Sequence, residues 1–348
     1  MTAFRRSCRT IVALVLCLPC CGELARAEDP DTEAQAAAMV TPEADHAIQQ
    51  GLAFLAARQH KDGAFGSGGY SRNVAVCSLA GMAMMSSGST PGRGPYGRNV
   101  ARTLDFVLDH AMENGFITVE GATSHGPMYG HGFATLFLAE CYGMTPRGDL
   151  RDKLAKAVQL IVQTQNKDGG WRYQPIPRDA DLSVTICQVM ALRAARNAGI
   201  HVPAETIRRT IGYVKRSQNA DGGFMYMIQG GASEFPRSAA GVVALYSAGI
   251  YEGPEIEKGL AYLMAYIPRG GRLSRQSHYF YGHYYAVQAM WYAGGEHWQR
   301  WYPAVRNELI ERQHPDGSWM DSICSEYGTA MACIILQMPN NYLPIFQR

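Results

Sequence analysis

Two aspartates spaced two residues apart are the residues of this chain best suited to acid chemistry. Asp179 and Asp181 directly precede an apolar stretch with helical periodicity that starts at Leu182. A carboxyl group that its surroundings keep protonated can act as a general acid, so both are candidate catalytic residues, with Asp181 as the acid. The same positions also suit helix capping, because a carboxylate ahead of a helix accepts its free N–H groups and complements its dipole. The sequence leaves both interpretations open.

Polar residues recur ahead of the other apolar stretches. His131, between two glycines, is a candidate general base or a structural histidine. Glu234 is a candidate catalytic carboxylate, although Arg237 three residues later also fits an ion pair at a helix start. The candidate ligand-binding residues are Arg237, Tyr281, His283, Tyr284 and Tyr327. Other polar residues in comparable places are Arg72, Asn73, His125, His278, Asp321 and Glu326. If these segments meet in space, they line one cavity with converging polar groups, which is the usual form of a ligand site.

A seven-residue string positions these segments along the chain. Each copy reads Gln, two variable residues, Asp, Gly, a variable residue and an aromatic residue, and the copies begin at Gln59, Gln165, Gln218 and Gln313. Their Asp-Gly pairs are 106, 53 and 95 residues apart, and degenerate copies at 114–116 and 269–271 divide the two longer gaps. This spacing predicts six structural repeats. The Asp of each string is expected to cap its own turn, and the Gly to end a helix in the left-handed conformation.

Each repeat reads as two helices of different character. An amphipathic stretch precedes each string, as at 150–164, and a stretch that is apolar or small all round follows it, as at 74–82. Such pairs suit an outer layer of half-exposed helices around an inner layer of buried ones. Because the last repeat keeps a full string where an open solenoid needs a polar cap, we expect the ring to close. The predicted fold is all-α, an α6/α6 toroid of six helical hairpins over residues 41–340, with a linker at 28–40 and a tail at 341–348.

Six units with this string resemble the prenyltransferase and squalene-cyclase repeat superfamily, which includes protein prenyltransferase β subunits and class II terpene cyclases. The resemblance covers about residues 42–338 and implies a cavity at one end of the ring, lined by the starts of the inner helices. The segments 181–188 and 284–290 are most similar to exported bacterial proteins with a single toroid.

The resemblance separates two family chemistries. Prenyltransferases hold zinc with an Asp, a Cys and a later His, and the corresponding positions here are Tyr281, His283 and Gly328. Too few ligands remain, so we predict no metal and no cofactor. The alternative is a metal site built from histidines that a closed ring would bring together: His125, His131, His278 and His283.

Class II terpene cyclases protonate an alkene with an Asp-x-Asp-Asp motif at the head of an inner helix. Here the first two aspartates are Asp179 and Asp181, while the third position is Leu182. The resemblance implies two or more toroidal domains for such cyclases, whereas this chain has one.

The N-terminal residues have the layout of a secretory signal peptide. Arg5, Arg6 and Arg9 precede an apolar run at 11–18, and Ala25-Arg26-Ala27 offers small residues for cleavage. The prediction is therefore a signal peptide at 1–27 and export to the periplasm or the outside; an N-terminal helix of the fold is the alternative. The remaining chain has 28 basic and 29 acidic residues, which argues against a nucleic-acid partner. Its five cysteines are odd in number and widely separated, so we expect buried thiols.

Three functions remain compatible with the sequence. The first is a protein that binds a hydrophobic, isoprenoid-type small molecule in the central cavity, with Asp181 as acid. The second is a non-catalytic extracytoplasmic module that binds a ligand or an envelope protein. The third is a carbohydrate-active α6/α6 enzyme, for which Asp181 with Glu234 or Glu326 is the available carboxylate pair.

Overall fold

The computed structural model describes residues 37–269 and 276–347, and twelve α-helices alternate between two layers in these ranges. The outer helices are α1 (Pro42–Arg58), α3 (Gly97–Asp109), α5 (Leu150–Thr164), α7 (Ala204–Arg216), α9 (Pro254–Met264) and α11 (Gly295–Arg312). The inner helices are α2 (Val74–Met85), α4 (Pro127–Cys141), α6 (Leu182–Asn197), α8 (Phe235–Ser247), α10 (Tyr279–Ala293) and α12 (Ser325–Leu336).

The two layers form a closed ring. Each inner helix packs against the next, and α12 returns to pack against α2, while the outer helix α11 contacts α1. The inner helices are buried over nearly their whole length, because each touches inner neighbours on both sides and its own outer helix. The predicted all-α toroid of six helical hairpins is confirmed.

The glutamine of each string joins one repeat to the next. The Gln165 side-chain amide donates to the Gly169 carbonyl (3.0 Å) and to the Thr206 carbonyl (2.9 Å) of the next outer helix. Gln313 makes the same bonds, to Gly317 (3.0 Å) and to Ala47 (2.9 Å). Since Ala47 belongs to the first repeat, the last string is one of the contacts that close the ring. The string thus links one repeat to the next by hydrogen bonds.

The glycine of each string lies where two repeats approach most closely. Gly169 has φ +100°, and a Cβ there would lie 2.2 Å from the Arg209 carbonyl oxygen of the next outer helix. Gly115 of the degenerate second copy sits in the same way against Lys156. The left-handed conformation was expected, but its place at the helix end is wrong: α5 ends at Thr164, and the glycine stands in the turn that follows. The helix ends early because Gln165 turns to extended backbone to reach the neighbouring repeat.

The aromatic residue of each string is anchored on the inner helix of its own hairpin. Trp171 and Trp319 are buried, and each donates its indole N–H to the preceding outer helix, at 2.7 and 2.8 Å. Their backbone N–H groups donate to the hydroxyls of Thr185 and Thr329 near the starts of α6 and α12. These bonds set the position of each inner-helix start relative to its string.

The C-terminal segment closes the ring at the carboxyl ends of the inner helices. Leu343, Ile345 and Phe346 are buried, so the residues predicted as a tail are packed. Four side chains from three inner helices bond to its backbone: Glu140 (3.3 Å), Arg193 (3.1 Å), Trp291 (2.9 Å) and Tyr292 (2.6 Å).

Glu140 makes the stability of this closure depend on pH. Burial raises the pKa of its carboxyl from 4.5 to about 7. The folded protein therefore holds this proton more tightly than the unfolded chain does, and its stabilisation is lost as the pH rises from about 4.5 through about 7. Glu140→Gln is expected to be about 1–3 kcal/mol more stable than wild type at about pH 8 and nearly equal at about pH 4. Urea unfolding at both pH values checks this, with exposed Glu120→Gln as control; a difference that does not change with pH would contradict it.

The helices and the thiols of the described ranges have two further properties. None of the helices within 37–269 and 276–347 is long and apolar enough to cross a membrane. The five cysteines of these ranges are buried and free. The predicted signal peptide, most of the linker and the degenerate string at 270–271 lie outside the described residues.

Candidate functional site: a cavity at the amino-terminal end of the inner ring

A cavity of about 410 Å³ opens where the inner helices begin. All six hairpins contribute lining residues, among them Asn73, Tyr129, Ser183, Arg237, Tyr281 and Tyr327. This is the end opposite the C-terminal segment. The cavity therefore lies where the family resemblance placed it.

Four tyrosines form one wall of the cavity, and we call them the tyrosine wall: Tyr129, Tyr173, Tyr226 and Tyr281. The rings of Tyr129 and Tyr173 lie 6.2 Å apart, and the hydroxyls of Tyr173 and Tyr226 are hydrogen-bonded to each other. The Tyr281 hydroxyl donates to the Ser183 carbonyl at the start of α6 (3.0 Å). Burial raises the pKa of Tyr129 and Tyr281, so their hydroxyls stay protonated. The wall is thus aromatic and neutral, and it suits an apolar or flat ligand.

Asp181 lies behind this wall and not in the cavity lining. It caps α6, since its Oδ1 accepts the Val184 N–H at 2.8 Å, and its exposure is 0%. Its Oδ2 has no hydrogen-bond partner within the described residues. Burial raises the pKa of its carboxyl from 3.8 to about 6, against the opposing effects of the Val184 N–H, the Arg172 charge and the Tyr226 hydroxyl. Capping and acid chemistry are therefore combined in one residue: one oxygen caps the helix and the other is unused.

Asp179 has a different place. Its carboxylate pairs with Arg172 at 3.1 Å, and its side chain is 51% exposed. Arg172 in turn lies over the ring of Tyr173 (5.0 Å) and less closely over Tyr226 (5.9 Å). Asp179 thus holds the arginine that supports the wall, and it does not line the cavity.

The mouth of the cavity carries charge. Glu234 and Asp321 both line it, and Arg237 pairs with Glu234 at 3.0 Å. Arg237 also donates to the carbonyls of Phe224 (3.2 Å) and Ala232 (2.7 Å), which fix its guanidinium in place. The structure thus shows the ion pair considered from sequence, and it places both members at the cavity.

His131 and His283 are buried away from the cavity. His131 accepts the Ile117 N–H at Nδ1 (3.2 Å) and bonds the Ala157 carbonyl through Nε2 (3.2 Å). Both ring nitrogens are used by backbone, so we do not retain it as a base. His283 lies among the rings of Phe235, Tyr279 and Trp301.

Some of the other residues predicted from sequence line the cavity, and others do not. Tyr281 and Tyr327 line the cavity, whereas Tyr284 is buried beneath Phe133, which does line it. Glu326 does not belong to the lining, because Arg58 (3.1 Å) and Ser67 (2.8 Å) hold it. The carboxylate pairs considered for a glycosidase, Asp181 with Glu234 or with Glu326, therefore do not face one another across the cavity.

Sequence reasoning missed several lining residues. Tyr70, Tyr129, Tyr173 and Tyr226 line the cavity, and three of them stand within a few residues of a string or at a helix start. Tyr173 and Tyr226 each follow the aromatic residue of a string by two positions, at Trp171 and Phe224. That repeated offset is the signal that would have identified them.

Within 37–269 and 276–347, no three His, Cys, Asp or Glu side chains stand close enough together to hold a metal ion.

Solved structures with the same fold include a terpene cyclase and a glycosidase. The type II terpene cyclase MstE from Scytonema superposes with a TM-score of 0.61 at 15% identity, over 86% of this chain and 99% of that one. A variant of it was solved with its substrate, geranylgeranyl dihydroxybenzoate, and gives a TM-score of 0.59 at 15% identity over 86% and 98% of the two chains. An inactive α-1,6-mannanase of a Salegentibacter species, in complex with α-1,6-mannotetrose, reaches 0.62 at 8% identity over 86% and 99%. These identities show a shared fold alone.

One expectation is corrected by these neighbours. A type II terpene cyclase chain is covered almost completely by this single toroid, so a second toroidal domain is not required in that class.

The family itself is shown by the sequence. No curated protein matches the chain. The model of the prenyltransferase alpha-alpha toroid domain matches residues 32–156 and 148–233, which together are more than half of the 348 residues. With its six hairpins closed into a ring, this chain belongs to the prenyltransferase alpha-alpha toroid family.

Proposed function

We propose that this is an exported toroid protein that binds a hydrophobic, isoprenoid-type ligand in its cavity, with Asp181 as an acid that starts cyclisation. The observation that carries the proposal is the arrangement at the tyrosine wall: an aromatic cavity with a protonatable carboxyl directly behind it, one oxygen of which is unused. The related fold of a cyclase that binds a geranylgeranyl substrate supports it. The signal-peptide layout of residues 1–27 supports export.

In the proposed cyclisation the protein supplies one proton to the ligand. Protonated Asp181 would give its proton to a terminal alkene, and the resulting cation would close a ring onto a neighbouring double bond. Loss of a proton from the final cation restores the balance. The aromatic rings of the wall present electron-rich faces to that cation. Raised by burial, the pKa of Asp181 leaves part of its population protonated near pH 6.

A second candidate function is a non-catalytic binding module. It is favoured by the full burial of Asp181, which does not line the cavity. Turnover separates the two: a binding module holds a small molecule or an envelope protein and leaves every offered polyene unchanged.

Native mass spectrometry of residues 28–348, purified from the envelope fraction, tests the ligand. We expect a co-purifying isoprenoid or lipid mass. Ala75→Phe places a ring in the cavity, because Ala75 lines it, and it is expected to reduce the bound mass at least about tenfold by excluding the ligand. Ala204→Phe, at an exposed position of α7, is the matched control and should bind like wild type. An empty monomer from the native envelope would contradict the ligand and favour a protein partner.

A further inference from the structure

Tyr226 is a cavity-lining residue that also interacts with Asp181. Its carbonyl accepts the N–H of Leu182, the residue next to Asp181, at 2.9 Å. The loop that carries Tyr226 is thus bonded to the first turn of α6, at the point where Asp181 caps it. Asp181 itself has no exposed surface.

The Tyr226 hydroxyl has two possible partners. In this structure it is bonded to the Tyr173 hydroxyl, and the unused Oδ2 of Asp181 is the alternative acceptor. Arg172 packs on both tyrosine rings and is held by Asp179, so the two rings share one support. The Tyr226 hydroxyl can therefore take either of two positions, bonded to Tyr173 or turned toward Asp181, whose Oδ2 has no hydrogen-bond partner within the described residues.

We infer that Tyr226 is a positioning residue for Asp181: its ring separates the carboxyl from the cavity, and its hydroxyl, shared with Tyr173, controls how firmly Asp181 keeps its proton. This inference rests on the proposed function, because the acid role of Asp181 gives the control its purpose. A hydroxyl that donates to a carboxylate favours the ionised form; the Tyr226 hydroxyl already has this effect on Asp181, and sharing it with Tyr173 weakens the effect. A ligand that moves the Tyr226 ring would thereby bring the acid into contact with the cavity.

The other groups around Asp181 leave this control to Tyr226. The side chains that interact with it electrostatically are Arg172, Tyr129, Cys187, Tyr213, Tyr226 and Tyr281, with Asp179 on its own segment. Burial raises the pKa of the Cys187 thiol and the Tyr129 hydroxyl, so these groups are neutral at physiological pH. Arg172 is the charge that acts on Asp181, and neither tyrosine substitution below removes it.

The first test is titration of Asp181 by carbon-13 NMR of labelled aspartate carboxyls, with Asp181→Asn to assign the signal. Tyr226→Phe keeps the ring and removes the hydroxyl, so the titration midpoint should rise by about one pH unit. Tyr173→Phe frees the Tyr226 hydroxyl to donate to Asp181, so the midpoint should fall. Opposite signs support the inference. Equal signs, or no change in either variant, would overturn it.

The second test measures the barrier between acid and cavity. Carbodiimide labelling, mapped by mass spectrometry, should modify Asp181 at least about tenfold faster in Tyr226→Ala than in wild type, because the ring is gone. Tyr226→Phe should label like wild type, and exposed Asp179 serves as internal control. Labelling of Asp181 that is already as fast as that of Asp179 in wild type would overturn the barrier.

Both tests need no ligand, so their failure is separate from failure of the proposed function. Opposite titration shifts with no turnover of any polyene would keep the placement of Tyr226 and remove the acid role. Turnover that depends on Asp181 with unchanged titration in both variants would remove the inference and keep the function.

Discussion

Gly169→Ala is expected to destabilise the toroid by about 3 kcal/mol or more. The new Cβ would lie 2.2 Å from the Arg209 carbonyl oxygen and 2.5 Å from its carbon, and both atoms belong to the backbone of the next outer helix. A backbone neighbour cannot rotate away as a side chain does, so the two repeats must separate. Because Gln165 bonds across the same junction, their separation also strains its bonds to Gly169 and Thr206. Urea unfolding followed by circular dichroism measures the loss.

The matched control for this variant is Gly199→Ala. Gly199 also has positive φ, +79°, but a Cβ there meets nothing within 4 Å. Its cost is the conformational term alone, roughly 1–2 kcal/mol. The difference between the two variants therefore reports the contact between repeats. Equal losses in the two variants would show that the close approach contributes nothing.

Asp181→Asn is expected to reduce cyclisation of a polyene such as squalene by at least about a hundredfold, because the amide N–H is far too weak an acid to protonate an alkene. Asparagine keeps an oxygen that can accept the Val184 N–H, so the cap on α6 survives. Burial has raised the pKa of Asp181, so its stabilising proton is lost as the pH rises through about 6. The amide variant should therefore be as stable as wild type at about pH 4 and more stable at about pH 8. Product analysis by gas chromatography and urea unfolding check the two effects.

Asp179→Asn tests whether the neighbouring aspartate is also needed for turnover. The exposed Asp179 pairs with Arg172 and does not line the cavity, so this variant should keep turnover within a few-fold of wild type. Wild-type activity should fall as the pH rises through about 6, where Asp181 loses its proton. Full turnover by Asp181→Asn would remove the acid role of Asp181, whereas no turnover by wild type would favour the binding module.

The repeat architecture could be predicted from the sequence because each string forms its own turn and also bonds to the next repeat. Asp221 accepts the N–H of Gly223 two residues on at 3.0 Å, which is a turn that the residue types alone predict. The buried aromatic residues and the periodicity of the helices likewise follow from local pattern. The bonds from Gln313 to the first repeat depend on ring closure, which the sequence could predict only from the missing polar cap.

The candidate site was less predictable, because a helix start near the cavity does not determine which side chains enter it. Tyr129 and His131 are two residues apart on α4, yet Tyr129 lines the cavity and His131 bonds to the backbone beside the outer helix. Successive residues on a helix point about 100° apart, so the rotation of α4 within the ring decides between them. That rotation is set by packing against neighbouring helices.

The sequence by itself determined the six hairpins and the turns between their helices, since these depend on residues close together in the chain. Tertiary structure alone decided that Tyr226, 45 positions after Asp181, lines the cavity and lies next to that aspartate. It also decided that the last residues fold back over the far end of the ring. Contacts of this kind join segments that the chain brings together only when the ring closes, and no local pattern encodes their geometry.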